Sequence, residues 1–229
     1  MNFLHSSIGK KVVVAVTGLV LLGFVMAHLA GNLLIFAGQN ALNAYAEKLR
    51  HLGGLLWVAR GVLLFSVLIH IVFAIQLAIA NRAARPISYK ASESIQTTVA
   101  AKSMMLSGLA IFAFIVFHLL HFTFRVTHPE ISHLTDSLGR HDVYSMVVLS
   151  FQDRLLAAIY VAAMALLSAH LGHGASSWIQ TLGLVKEGSL KTANFVGQVF
   201  AVALALGYVA IPTSIYLGWI RLASGANCC

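Results

Sequence analysis

Eleven histidines are the side chains best able to do chemistry in this chain of 229 residues, of which 59% are hydrophobic and only 10% charged. Imidazole can ligate a metal through either ring nitrogen and can carry a proton near neutral pH. Six of the eleven, His28, His70, His118, His121, His170 and His173, fall inside apolar stretches long enough to cross a bilayer. An ionisable side chain at that depth faces the interior of a helix bundle and is kept there by a partner. For any one taken alone, a neutral imidazole hydrogen-bonded to a neighbouring helix is a sufficient explanation. Their distribution asks for more: the first four apolar stretches each contain at least one histidine, and the fifth contains none.

The first and third stretches run in the same direction. At about 1.5 Å per helical residue, His28 lies about 26 Å beyond Lys11 and His118 about 24 Å beyond Lys102, so the two share one level. The second and fourth run the opposite way, with about 15 Å from His70 to Ala80 and from His170 to Gln180, which sets a second level roughly 10 Å from the first. A haem iron takes two axial ligands on opposite sides of one plane, and imidazoles from facing helices supply them. His28 with His118, and His70 with His170, meet that demand. A bare transition-metal centre would gather several histidines at one level, often with carboxylates, and no Asp or Glu lies deep in a span. His121 and His173 each lie three residues past a proposed ligand, on nearly the same helix face. They could be the ligands themselves, could bind a haem propionate or a quinone oxygen, or could form a simple interhelical hydrogen bond. Gly31 and Gly174 would admit a flat porphyrin close to the backbone, and would serve equally as ordinary packing residues.

The elements that must position these residues are five spans, roughly 11–37, 57–80, 103–126, 155–182 and 195–222, in an all-α transmembrane bundle whose first four helices would bind haem. Residues 40–50 (NALNAYAEKLR) read as an amphipathic helix lying in the interface. The connector 81–102 contains Pro86, and 128–150 is the longest polar stretch, with three histidines and two aspartates. With no internal repeat apparent, a single five-helix domain over 1–229 is the simplest organisation. The first apolar run outlasts a signal peptide and reads as a retained helix. Cys228 and Cys229 are too close together to staple a fold and match no metal-ligand spacing. The formal charge of +8 comes from residues at the ends of apolar runs, which fits membrane anchoring better than nucleic-acid binding. With the amino terminus inside, Lys10, Lys11, Arg82, Arg85, Lys90, Lys102, Lys186 and Lys191 face the cytoplasm against the remaining seven Lys/Arg outside, a balance that decides no orientation. Pro212 is the one hint of a break in the fifth span.

Four segments resemble the single-chain, di-haem cytochrome b anchor of succinate:quinone oxidoreductase, respiratory complex II. They are SSIGKKVVVAVTGLVLLGFVMAHLAGNLLIFAG (6–38), NAYAEKLR (43–50), FHLLHF around His118, and HLGHGASSWIQTLGL from His170. The likeness extends over nearly the whole chain. It implies axial ligands at His28, His70, His118 and His170, paired first span with third and second with fourth. Within it, His118 is favoured over His121 by its ten-residue distance from Gly108, and His170 over His173 by the pattern H-x-x-x-G ending at Gly174. It also implies a bacterial cytoplasmic membrane with the amino terminus cytoplasmic. The expected partners are a flavoprotein and an iron-sulfur protein, the latter docked at residues 6–11 and 81–102. The chain carries neither a flavin motif nor iron-sulfur cysteines, so succinate chemistry is expected in those partners and electron transfer to a quinone, menaquinone by resemblance, in this subunit.

A quinone ring needs polar partners and its tail needs lipid, so its site is expected at an interface. Asn40, Asn43, Tyr45, Glu47 and Arg50 form an outer candidate cluster, with Glu47 able to relay a proton or simply to pair with Lys48 or Arg50. Ser6, Lys10, His173, Ser177 and Trp178 form an inner one. By the resemblance to the complex II anchor, the loop before the fourth span is longer here than in some members of that family, which bears on any quinone site near it. Two rivals remain: the cytochrome b subunit of another respiratory enzyme, such as a hydrogenase or formate dehydrogenase, and a haem-free transporter. The former distributes its ligands differently among spans, and the latter calls for interrupted helices and mid-membrane charges.

Overall fold

Lipid offers no partner for backbone N–H and C=O groups, so an apolar segment satisfies them internally as a helix. The structure, a computed structural model, describes residues 6–83, 99–181, 183 and 189–222. Among them the secondary structure is helical, with one isolated bridge between Thr135 and His141 and no strand. Arg85, Pro86, Lys90, Leu182, Lys186, Cys228 and Cys229 lie outside the described residues. Among the described residues five helices are long and apolar enough to cross a membrane: Ser7–Ala37, Gly54–Ala83, Met104–Thr123, Arg154–Ala175 and Leu190–Tyr216. Each overlaps one of the five expected spans, the largest differences being a fourth that ends at Ala175 and a fifth that runs from Leu190 to Tyr216.

Among the described residues seven α-helices follow one another: α1 (Ser7–Asn32), α2 (Gln39–His51), α3 (Gly54–Ala83), α4 (Val99–His118), α5 (Val143–Gln152), α6 (Arg154–Thr181) and α7 (Leu190–Tyr216). Ser6 caps α1, its Oγ accepting from the Gly9 N–H at 3.0 Å. A 3-10 segment, Leu33–Ala37, extends α1 to Gly38, whose φ of +93° only glycine adopts readily, and there the chain turns into α2. A helix is thus present over the expected 40–50 stretch. Pro212 does not break α7, which continues through it to Tyr216. Along the spans, large side chains such as Leu64, Phe65, Leu106, Phe195 and Leu206 are more than half exposed, whereas buried positions include Ala15, Ser66, Ser107, Ala163 and Ala201. Apolar bulk outside and small residues inside suit helices that pack closely in lipid.

The chain groups into two compact units, each drawing on several helices. One comprises residues 1–25, 59–110 and 166–202, the other 26–58, 111–165 and 203–229. His70, His170 and His173 belong to the first; His28, His118 and His121 belong to the second.

In the second unit, Ile35, Leu42, Val148, Phe151, Tyr160 and Ile215 share one apolar core. Part of the stretch expected to be polar loop is therefore a buried helix: α5 packs on α2, and Met146, Val147, Val148 and Phe151 are buried. Its apolar run is too short to span lipid and shows its role only once α2 lies against it. Asp142 caps α5 by accepting from the Ser145 N–H at 3.0 Å, and Asp153 caps α6 by accepting from the Leu156 N–H at 2.8 Å. The third span closes in a π turn at Leu119–Thr123, and Arg125 follows in the left-handed region at φ +59°. Its guanidinium donates to the Ser132 carbonyl and to His141 Nε2, each at 3.0 Å, so His141 is neutral. Burial, then the charges of Arg50 and Arg125, hold the His141 pKa below its usual value.

Candidate functional site

In the first unit, a hydroxyl residue followed by glycine on one helix receives a histidine from another. Thr17 Oγ1 donates back to the Val13 carbonyl at 2.7 Å, which leaves its oxygen to accept from His70 Nδ1 at 3.1 Å. His70 Nδ1 also lies 3.2 Å from the Val14 carbonyl, a group that can only accept. The proton of His70 therefore sits on Nδ1, and Nε2 keeps a bare lone pair. Ser107 repeats the arrangement on α4: Oγ donates to the Met104 carbonyl and lies 3.2 Å from His170 Nδ1. His170 is thereby an Nδ1–H donor with Nε2 bare as well. The glycine after each hydroxyl makes room for the ring. A Cβ on Gly18 would stand 3.3 Å from His70 Cε1, and one on Gly108 would stand 3.3 Å from His170 Cε1. The two imidazoles are close enough to interact electrostatically.

These seats recur in register. Thr17-Gly18 precedes His28 as Ser107-Gly108 precedes His118, with ten residues from glycine to histidine in both. Spans one and three thus each carry a seat for a histidine of another span and, further along, a histidine of their own. The spacing that singles out Gly108 and His118 thus also links Gly18 and His28. Two T/S-G dipeptides ten residues upstream of histidine were the available signal.

In the second unit, the rings of His28 and His118 lie near each other in an edge arrangement, with centroids 5.8 Å apart and planes at 87°. Two imidazoles sharing one iron, each bonded at about 2 Å, have centroids about 6 Å apart. His118 Nδ1 lies 3.3 Å from Tyr160 OH, and His121 Nδ1 lies 3.0 Å from the same hydroxyl. Phe114, Phe117, Phe122 and Phe151 surround Tyr160 edge-on at centroid distances of 4.9 to 6.1 Å. His121 is only 2% exposed, stacks on Phe122 at 4.0 Å, and has a buried Nε2 with no hydrogen-bond partner. No sequence pattern marked Tyr160.

The candidate quinone residues are placed as follows. Asn43 is fully buried and its polar atoms are engaged: Nδ2 donates to Asp136 at 3.1 Å and Asp142 at 2.9 Å, and Oδ1 accepts from the Tyr144 N–H at 3.0 Å. Arg140 pairs with Asp136 at 2.7 Å and donates to Asn40 Oδ1 at 3.0 Å. Burial would raise the Asp136 pKa, but hydrogen bonds from Arg140, Asn43 and the backbone outweigh it and bring it to about 2. The Asp142 carboxyl is likewise lowered, hydrogen bonds from Ser145, Asn43 and Gln39 outweighing desolvation. The Tyr45 ring lies against Gly31, where a Cβ would come within 2.5 Å of it, so Gly31 seats this tyrosine. Glu47 is half exposed, 3.9 Å from His51 one turn along. In the second candidate cluster, Lys10 and His173 are half-buried, Ser177 is exposed, and Trp178 Nε1 is buried without a hydrogen-bond partner.

No protein family, characterised protein or solved structure matches the chain. Among the described residues, no three His, Cys, Asp or Glu gather to hold a bare metal ion.

Proposed function

We propose that this chain is a five-span, di-haem cytochrome b anchor of a succinate:quinone oxidoreductase or fumarate reductase, set in a bacterial cytoplasmic membrane with its amino terminus inside. The supporting observation is the way His70 and His170 are held. Each is fixed through Nδ1–H by a hydroxyl on another helix, beside a glycine, with Nε2 left bare. Imidazole ligates iron in that state, since an acceptor on the far nitrogen fixes the tautomer and raises the basicity of the ligating one. His70 and His170 would hold one haem b and His28 and His118 the other, the second pair resting on its 5.8 Å spacing. When bound, haem supplies one-electron transfer inside the membrane.

The chain's own residues do the positioning. Thr17 and Ser107 orient imidazoles, Gly18 and Gly108 clear space for them, and the apolar spans exclude water. The α2 and α5 cap, latched by Asn43, Asp136 and Asp142, closes one end of the unit that holds His28 and His118. An iron-sulfur subunit at the cytoplasmic face and a flavoprotein beyond it would supply or take the electrons, and menaquinone in the lipid would exchange them. The test is succinate-dependent reduction of a menaquinone analogue by membranes containing the chain with both partners. Activity lost in His70→Ala and His170→Ala variants supports the assignment, and undiminished turnover in both overturns it.

A further inference from the structure

Tyr160 has one hydroxyl proton and two imidazole nitrogens within reach, His118 Nδ1 at 3.3 Å and His121 Nδ1 at 3.0 Å. Tyr160 is itself buried, so its proton is paired when it donates to one nitrogen and accepts from the other, and the two histidines then hold opposite tautomers. The spacing of His28 from His118 decides which is which. A histidine sharing an iron with His28 needs a bare Nε2, so its proton is on Nδ1 and donates to the Tyr160 oxygen. The tyrosine proton then goes to His121 Nδ1, and His121 must carry its own proton on Nε2. That atom is the buried one with no hydrogen-bond partner. A buried N–H left unpaired costs about 1–3 kcal/mol, and native interiors rarely leave one so.

We propose that Tyr160 and His121 are positioning residues for the haem held by His28 and His118: Tyr160 fixes the ligating tautomer of His118, and His121 donates its Nε2–H to a porphyrin carboxylate. This rests on the haem assignment above. His121 shares its hydroxyl with His118 and is surrounded by Phe117, Phe122, His128 and Tyr160, none of which accepts from its Nε2, which leaves the group bound at His118 as its acceptor. The bridge also separates the roles of two histidines that stand only three residues apart. The π turn beginning at Leu119, immediately after His118, is where the chain brings both rings to one hydroxyl.

The two residues act on the iron with opposite sign. Without the tyrosine oxygen the His118 ring donates less electron density, which favours reduced iron. Without the His121 donor the carboxylate keeps its full negative charge, which favours oxidised iron. Potentiometric titration of the purified complex tests this in Tyr160→Phe, His121→Phe and His121→Gln. Both haems are expected to remain in all three, with one haem's potential rising in Y160F, falling in H121F, and returning towards the parent value in H121Q, which keeps an N–H donor. Repetition after quinone extraction should leave the H121F shift in place. Unshifted potentials, haem lost in H121F but kept in His118→Ala, or an H121F shift that vanishes with the quinone would overturn the proposal. A parent protein without haem would instead refute the cofactor assignment itself.

Discussion

Replacing Ser107 by Ala and Thr17 by Val removes the two hydroxyls that receive the histidines of the first unit, and the two changes should differ in severity. His70 Nδ1 would keep the Val14 carbonyl at 3.2 Å as an acceptor after Thr17→Val, so its tautomer stays fixed. His170 Nδ1 would lose the Ser107 oxygen that receives it at 3.2 Å, in a place where Ser107 itself is buried. A net hydrogen bond contributes about 0.5–1.5 kcal/mol, and a buried donor left unpaired costs about 1–3 kcal/mol. Loss of such an outer partner weakens metal binding by about 10–100-fold. Ser107→Ala should therefore fall within that range for one haem, while Thr17→Val should stay below roughly tenfold. The assay is haem titration of the apoprotein in detergent, followed by absorbance, for both variants and the parent. Equal loss in the two, or the larger loss in Thr17→Val, would refute the hydrogen-bond reasoning.

Gly108→Val should remove one haem of two, because even a Cβ there lies 3.3 Å from His170 Cε1; overpacking of this kind costs about 1–3 kcal/mol, and pyridine-haemochrome absorbance reads the loss. The α2 and α5 cap should loosen in acid. Its Asp136 carboxyl has a folded pKa of about 2, below its unfolded value, so its contribution is complete above the unfolded pKa and is lost as pH falls from there through about 2. Protection of the Tyr144 amide, whose N–H is held by Asn43, should fall over that window once the intrinsic pH dependence of exchange is divided out, and should hold constant between pH 5 and 7. Glu47→Gln should collapse quinone reduction by at least tenfold while both haem bands persist. Unchanged turnover, with loss in a His173 or Lys10 variant, would move the quinone site to the inner face.

The spans were legible because the need to satisfy backbone groups in lipid writes itself as long apolar runs, and α2 was legible from the spacing of Leu42, Tyr45 and Leu49. The buried α5 was hidden because Val143 to Leu149 is apolar for less than a membrane's thickness and sits among charged and polar residues. Its burial depends on α2 and on Asp142 meeting Gln39 and Asn43, contacts about a hundred residues apart. The histidines stood out as ionisable groups in apolar stretches. Their partners did not: Thr17 and Ser107 look like ordinary small residues of packed helices, and Tyr160 looks like any aromatic in a span. What distinguishes them is proximity across helices, which no spacing within one helix encodes. Asn43 illustrates the converse, since a polar residue on an interfacial helix reads as a ligand-binding group, yet here its side chain latches two aspartates and a backbone N–H.

Haem content of the purified chain tests the central claim most directly, read as a reduced-minus-oxidised spectrum with pyridine-haemochrome quantitation. Two b haems per chain are expected, falling to one on replacing any of His28, His70, His118 or His170 by Ala, because low-spin bis-imidazole ligation fails when either axial ring is missing. Both should persist when His121 or His173 is replaced. A parent protein with no haem or one haem, or one that keeps both after His28→Ala, would contradict it.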